Sequence, residues 1–142
     1  MPDDKKTILI IEDENTLLDM YKIKFEASGF NFLGASTGEE GLKIAQTQSV
    51  DLFLVDLMLE NKTEGGMIDG YEVIKKLKGN EKTKDIKICA LTNFDQDKNI
   101  KKAYDAGANN YLVKSDLTPA ELVEKVKLIF SGQKVGRSPE ED

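Results

Sequence analysis

Glu12, Asp13, Asp56, Thr92 and Lys114 carry the side chains most able to do chemistry together. Each closes or directly follows an apolar run: Glu12 and Asp13 after residues 8–11, Asp56 after 52–55, Thr92 after 86–91, Lys114 after 111–113. Carboxylates gathered in one place repel and raise one another's pKa unless a cation sits among them. The chain has no histidine and a single cysteine, so the ligands on offer are oxygens, which suit a hard ion, Mg2+ above all. A lysine and a hydroxyl across such a site would complete a cradle for a trigonal phosphoryl group, each stabilising a different region of developing charge. Asp56 is then the natural phosphoryl acceptor. The absence of histidine also excludes Ser-His-Asp catalysis and any self-contained phosphohistidine step, so a histidine-borne phosphoryl group would have to come from a partner.

These residues need a scaffold that brings strand ends to one edge. Five apolar runs, 8–11, 32–35, 52–55, 86–91 and 111–113, alternate with helical patterns. That alternation implies a parallel sheet covered on both faces, an α/β doubly wound fold, whose strand ends share one edge where ligands bind. The helical segments show apolar residues at three- and four-residue spacing: Leu17, Leu18, Tyr21 and Phe25; Leu42 and Ala45; Val73, Ile74 and Leu77; Ile100, Ala103 and Tyr104; Leu122, Val126, Ile129 and Phe130. Thr37 with Glu40, and Thr118-Pro119 with Glu121, have the spacing of helix-opening capping boxes.

The 142 residues suffice for one domain with a real core, taken as residues 1–131, and 132–142 read as a disordered tail. A net charge of −6 argues against nucleic acid or an anionic membrane as partner. No run is long enough to span a membrane and the amino terminus lacks a signal pattern, so a cytoplasmic protein is expected. Cys89 sits in an apolar segment and reads as a buried, inert thiol. Lys98, Lys101 and Lys102 read as a solvated helix face.

Taken singly, each site residue has a blander reading: a helix-start acid, a turn aspartate, a strand threonine, a solvated lysine. Their coincidence in order is what counts. "ILIIEDE", "DLFLVDLM", "CALTN" and "YLVKS", with "STGEEGLKIA" and "DGYEVIKKLK" between, make the chain resemble a response-regulator receiver domain over residues 5–131. The resemblance implies a flavodoxin-like (βα)5 fold with strand order 2-1-3-4-5. It implies Mg2+ held by Glu12, Asp13, Asp56 and the backbone carbonyl of Met58, and phosphorylation of Asp56 by a sensor histidine kinase or a histidine phosphotransfer protein. Thr92 and Lys114 would bind the phosphoryl oxygens. Drawing Thr92 inward would make room for Tyr111 to rotate and reshape the face of the fourth helix, fifth strand and fifth helix for a downstream protein. A monomer, or a dimer formed on phosphorylation, is expected, with no enzymatic turnover beyond the domain's own phosphorylation and dephosphorylation.

The chain departs from the family pattern in three places, the connection after Asp56, Ser115 and Asn93. A long polar connection from Leu57 to Asp69 replaces a short loop, and Ser115 stands where a cis proline is usual, for which a trans bond is expected. Asn93 is larger than the usual residue and could narrow access to the phosphoryl group. Met58 and Phe94, two residues beyond Asp56 and Thr92, would flank the path of attacking water without orienting it, which implies a long-lived acyl phosphate. The competing readings are a docking module with a vestigial acid pocket, an aspartyl-phosphate phosphatase, and a flavodoxin-like electron carrier. The phosphatase needs a second acid where Met58 stands. The electron carrier needs a hydroxyl-rich phosphate loop after the first strand, which is missing. The segment after Phe130 is too short for a DNA-binding domain, so output is expected through association or relay.

Overall fold

The short apolar runs form the strands. In the computed structural model, which describes residues 5–59 and 69–139, they are β1 (Thr7–Ile11), β2 (Asn31–Ala35), β3 (Leu52–Val55), β4 (Lys87–Thr92) and β5 (Asn110–Val113). Strands β1, β3 and β5 are almost wholly buried, β4 is buried beyond Lys87, and the edge strand β2 is mostly half-buried. All pair in parallel in the order β2-β1-β3-β4-β5, as the resemblance implies. The strands alternate with α1 (Asn15–Ala27), α2 (Gly38–Thr47), α3 (Gly70–Lys78), α4 (Asp97–Ala106) and α5 (Pro119–Phe130). Residues 60–68, the middle of the expected long connection, lie outside the described residues, as do both chain ends.

Successive strand residues point to opposite faces, and the core divides accordingly. Leu9, Ile11, Phe53 and Val55 pack with Ala45, Val73, Ile74, Leu77, Ile100 and Ala103 of α2, α3 and α4. Ile8, Ile10, Leu52 and Leu54 pack with Tyr21 and Phe25 of α1 and with Leu122, Val126 and Ile129 of α5. Cys89 is fully buried in this second layer, and burial raises its thiol pKa far above the usual value, so it is inert. Leu17, Leu18 and Leu42 are only partly buried at the rim. The helix starts behave as their sequences dictate. Thr37 accepts from the Glu40 N–H at 3.0 Å, and Asp69 accepts from the Glu72 N–H at 2.9 Å. Thr118 and Glu121 form a complete capping box. The α4 lysine face is not wholly solvated, since the Lys102 ammonium lies 4.1 Å from the centre of the Tyr71 ring.

The segment after α5 differs from the expected featureless tail. Val135 is buried, its N–H donates to Asn110 Oδ1 at 2.8 Å, and Gly136 bridges Tyr111 in parallel along the outer edge of β5. An edge strand leaves backbone donors and acceptors unpaired. Here the polar backbone beyond Phe130 satisfies some of them, which is why a segment without periodicity is nonetheless structured.

Candidate functional site

Register builds the site. Ile11 stands opposite Val55, so Glu12 and Asp56 leave the sheet side by side, and the Asp56 N–H donates to the Ile11 carbonyl at 3.0 Å. Thr92 stands opposite Val113, which brings Thr92 and Lys114 to the same carboxyl-terminal edge. The Lys114 ammonium donates to Glu12 Oε1 at 2.8 Å and to Asp56 Oδ2 at 3.0 Å. Among the described residues there is no cis peptide, so the bond to Ser115 is trans as expected, and a short 3-10 turn, Lys114–Asp116, follows. Lys114 therefore reaches both acids without the family's usual proline.

Glu12 is 1% exposed and Asp56 4%, whereas Asp13 is half-buried at the mouth. One carboxylate oxygen from each of the three lies within 4.8 Å of the others. Burial pushes the Glu12 carboxyl up to about 7 and the Asp56 charge adds to this, against the hydrogen bond from Lys114. Burial likewise raises Asp56, opposed by the charge and hydrogen bond of Lys114. Burial alone would lower the Lys114 pKa, but hydrogen bonds and charge from Glu12 and Asp56 outweigh it and hold the ammonium firmly protonated. The carboxylates of Glu12, Asp13 and Asp56, with the Lys114 ammonium, make an oxygen-rich pocket. That donor set fits a hard divalent cation.

Each remaining candidate has a definite place. Thr92 is buried, and its hydroxyl accepts from the Phe94 N–H at 3.4 Å. Tyr111 is fully buried and its hydroxyl donates to the Phe94 carbonyl at 2.7 Å. Phe94 is half-buried and packs against the core on the α3 and α4 side. Asn93 is exposed. Met58 is 44% exposed, and its N–H donates to Asp56 Oδ1 at 3.1 Å.

Gly70 is a residue that sequence reasoning passed over. A β-carbon there would overlap the Asp56 carbonyl and the Leu57 α-carbon, so only glycine lets α3 start hard against the end of β3. The signal was present in Asp69-Gly70, an N-cap followed by a residue without a side chain at the close of the connection.

An open parallel sheet with an acid pocket and a lysine at its carboxyl edge defines a doubly wound α/β domain with a charged site at its strand ends. The comparisons narrow this. The family model for the response regulator receiver domain matches residues 8–127, and the chain belongs to that family. It is 33% identical over 125 residues to the alkaline phosphatase synthesis transcriptional regulatory protein PhoP of Bacillus subtilis, covering 88% of this chain and 48% of that protein. It is 34% identical over 107 residues to the DNA-binding dual master transcriptional regulator RpaA of Synechocystis, covering 75% of this chain and 42% of that one. A CheY-like response regulator receiver domain protein from Methanospirillum hungatei superposes with a TM-score of 0.79 at 27% identity, covering 91% of this chain and 96% of that one.

The chain thus spans about half the length of the curated relatives it matches. These relatives are described as transcriptional regulators, one of them as DNA-binding, and not as enzymes. That overturns the expectation that nucleic acid plays no part. The expectation rested on the acidity of this segment, and the charge of a receiver segment says nothing about the rest of such proteins. Among the described residues no helix is long and apolar enough to cross a membrane.

Proposed function

We propose that the chain is the phosphoryl-accepting switch of a two-component signalling pathway in the cytoplasm, with Asp56 as the acceptor. The observation that carries this reading is the Lys114 ammonium held at 2.8 and 3.0 Å from Glu12 and Asp56, within a three-acid cluster at the sheet's carboxyl edge. An Asp56 oxygen attacks phosphorus. The P–N bond of a partner kinase's or phosphotransfer protein's phosphohistidine breaks as the new P–O bond forms, and the imidazole leaves with the electron pair and takes a proton. Lys114 and the Thr92 hydroxyl then face the phosphoryl oxygens and stabilise the charge that builds there. Glu12, Asp13, Asp56 and the Met58 carbonyl would hold Mg2+, which supplies charge neutralisation at those oxygens when bound. Movement of Thr92 toward the phosphoryl group is relayed to Tyr111, which shares Phe94 with it: Thr92 accepts from the Phe94 N–H and Tyr111 donates to its carbonyl. The face around α4, β5 and α5 changes with that relay, and a downstream partner reads it.

Incubation with Mg2+ and acetyl phosphate, followed by intact-mass measurement, tests the reading. One added phosphoryl group is expected, absent in Asp56→Asn and absent in EDTA. Labelling that survives Asp56→Asn would remove Asp56 from its role. No labelling together with no Mg2+ binding would favour a docking module instead.

A further inference from the structure

The outer edge of β5 is occupied by the chain's own residues 134–137, and they are fastened at several points. Val135 is 7% exposed and its N–H donates to the buried Asn110 side chain at 2.8 Å. The Arg137 N–H donates to the Tyr111 carbonyl at 2.8 Å, and its guanidinium pairs with Asp116 at 3.1 Å. From α4, the Tyr104 hydroxyl donates to the Arg137 carbonyl at 2.6 Å, and the Lys134 ammonium lies 4.7 Å from the centre of the Tyr104 ring. Gly136 has φ +78, and a β-carbon there would overlap the Tyr111 carbonyl. The approach is therefore one that glycine alone permits. The contacts reach α4, β5 and the turn after β5, the same elements that surround the switch residue.

Tyr111 belongs to the core layer shared with α3 and α4, with no exposed surface. β5 is the last strand of the sheet, so a ring leaving this layer would swing out past the sheet edge beside α4. Tyr104 and the backbone of Gly136 and Arg137 stand there, bonded to each other and to Tyr111. We propose that residues 134–137 are a clasp that holds the Tyr111 ring inside the protein, so that clasp and ring move as one unit. The surface offered beside α4 is then made by the clasp rather than by the bare edge of β5. Any event that favours the inward ring tightens the clasp, and any partner that peels the clasp away frees the ring, because the coupling is reciprocal. The importance of Tyr111 to signalling rests on the proposed function, but its coupling to the clasp does not.

The test uses the full chain labelled with 3-fluorotyrosine, the Tyr21, Tyr71, Tyr104 and Tyr111 signals being assigned from single Tyr→Phe variants. Gly136→Val is expected to lower amide-exchange protection of Val135 and Arg137 at least about tenfold, with β1 and β3 protection retained. The Tyr111 fluorine signal is expected to move toward that of free tyrosine. Val135→Asp, which removes the apolar anchor without touching the glycine, is expected to do the same, and it decides the matter alone should Gly136→Val loosen the core. Released amides with an unmoved Tyr111 signal overturn the coupling. Amides that stay protected in both variants overturn the clasp. None of these readouts involves Asp56, so a failure to accept phosphate and a failure of the clasp are separately visible.

Discussion

The two ends of the sheet use the same residue types to opposite effect. At the amino end, Lys6, Asp51, Asp85 and Lys87 ring a shallow groove with Val50, Leu52 and Phe130, and all four charges are exposed. Asp51 does local work there, accepting from the Thr7 N–H at 2.7 Å where β1 begins. At the carboxyl end, Glu12 and Asp56 are almost wholly buried and compete for one ammonium. Water solvates and screens the first set. The second set has only itself and whatever cation or phosphoryl group enters, so its charges remain available for chemistry. The difference comes from burial and register, since both ends offer comparable acids and lysines.

The largest effect should come from removing the shared cation. Lys114→Met leaves Glu12 and Asp56 buried without a counter-charge, and acetyl phosphate labelling is expected to fall about a hundredfold or more. Stability should fall by about 3–5 kcal/mol at pH 8, the usual cost of breaking a buried pair from one side. The loss should shrink toward pH 5.5. Glu12 already has a folded pKa near 7, above its ordinary 4.5. A raised acid contributes stability fully below its unfolded value and loses that contribution as pH rises through its folded value. Urea unfolding at both pH values reads this out. Lys87→Met at the opposite end should shift stability by no more than about 0.5 kcal/mol, and a comparable loss there would dissolve the contrast between the two ends.

The same titration governs Mg2+. Protons and the cation compete for Glu12 and Asp56, so Mg2+ affinity should decline as pH falls through about 7 and approach a tenfold loss per unit below it for one competing proton. Calorimetric titration at pH 8, 7 and 6 checks this, with Asp51→Asn expected to leave the profile unchanged. Geometry gives a smaller effect, read at the two ends of α3. Gly70→Ala pushes a β-carbon into the Asp56 carbonyl, and about 1–3 kcal/mol of stability should be lost, with slower labelling. At the far end of the helix, a β-carbon on Gly79 meets nothing nearer than 3.4 Å, so Gly79→Ala should be neutral or slightly stabilising.

Much of this was legible in the sequence because it is local. The strands announce themselves as short apolar runs, the helix starts as capping residues, and the site as the residues at strand ends. What escaped is non-local. Residues 132–139 offer Val135 as their one large apolar side chain, and no periodicity reveals that its backbone N–H donates to Asn110 Oδ1 on β5. Nor does Ser115 reveal that Lys114 still reaches two acids through a trans bond. Phe94 looked like a flank of the site, yet its ring also packs on the core and its carbonyl receives Tyr111. The acidity of this stretch bears on the receiver alone, and the relatives include a DNA-binding regulator more than twice as long as the matched stretch.

Met58 marks where the contrast between the ends becomes one of time. It is 44% exposed at the carboxyl edge, its N–H already serves Asp56 Oδ1 at 3.1 Å and its carbonyl is assigned to the cation, so its apolar side chain is the part that faces incoming solvent. A thioether accepts hydrogen bonds weakly and donates none, so it can crowd attacking water but not aim it. An amide at this position can do both. Met58→Asn is therefore expected to shorten the lifetime of the Asp56 phosphoryl group by up to about tenfold, less than the roughly 10²–10⁴-fold of a true general acid or base, because an amide orients water without taking its proton. Decay of the labelled species, followed by intact mass after removal of acetyl phosphate, reads the rate directly. Equal lifetimes in the two proteins would mean that shielding by the rest of the pocket, and not Met58, sets how long the mark persists.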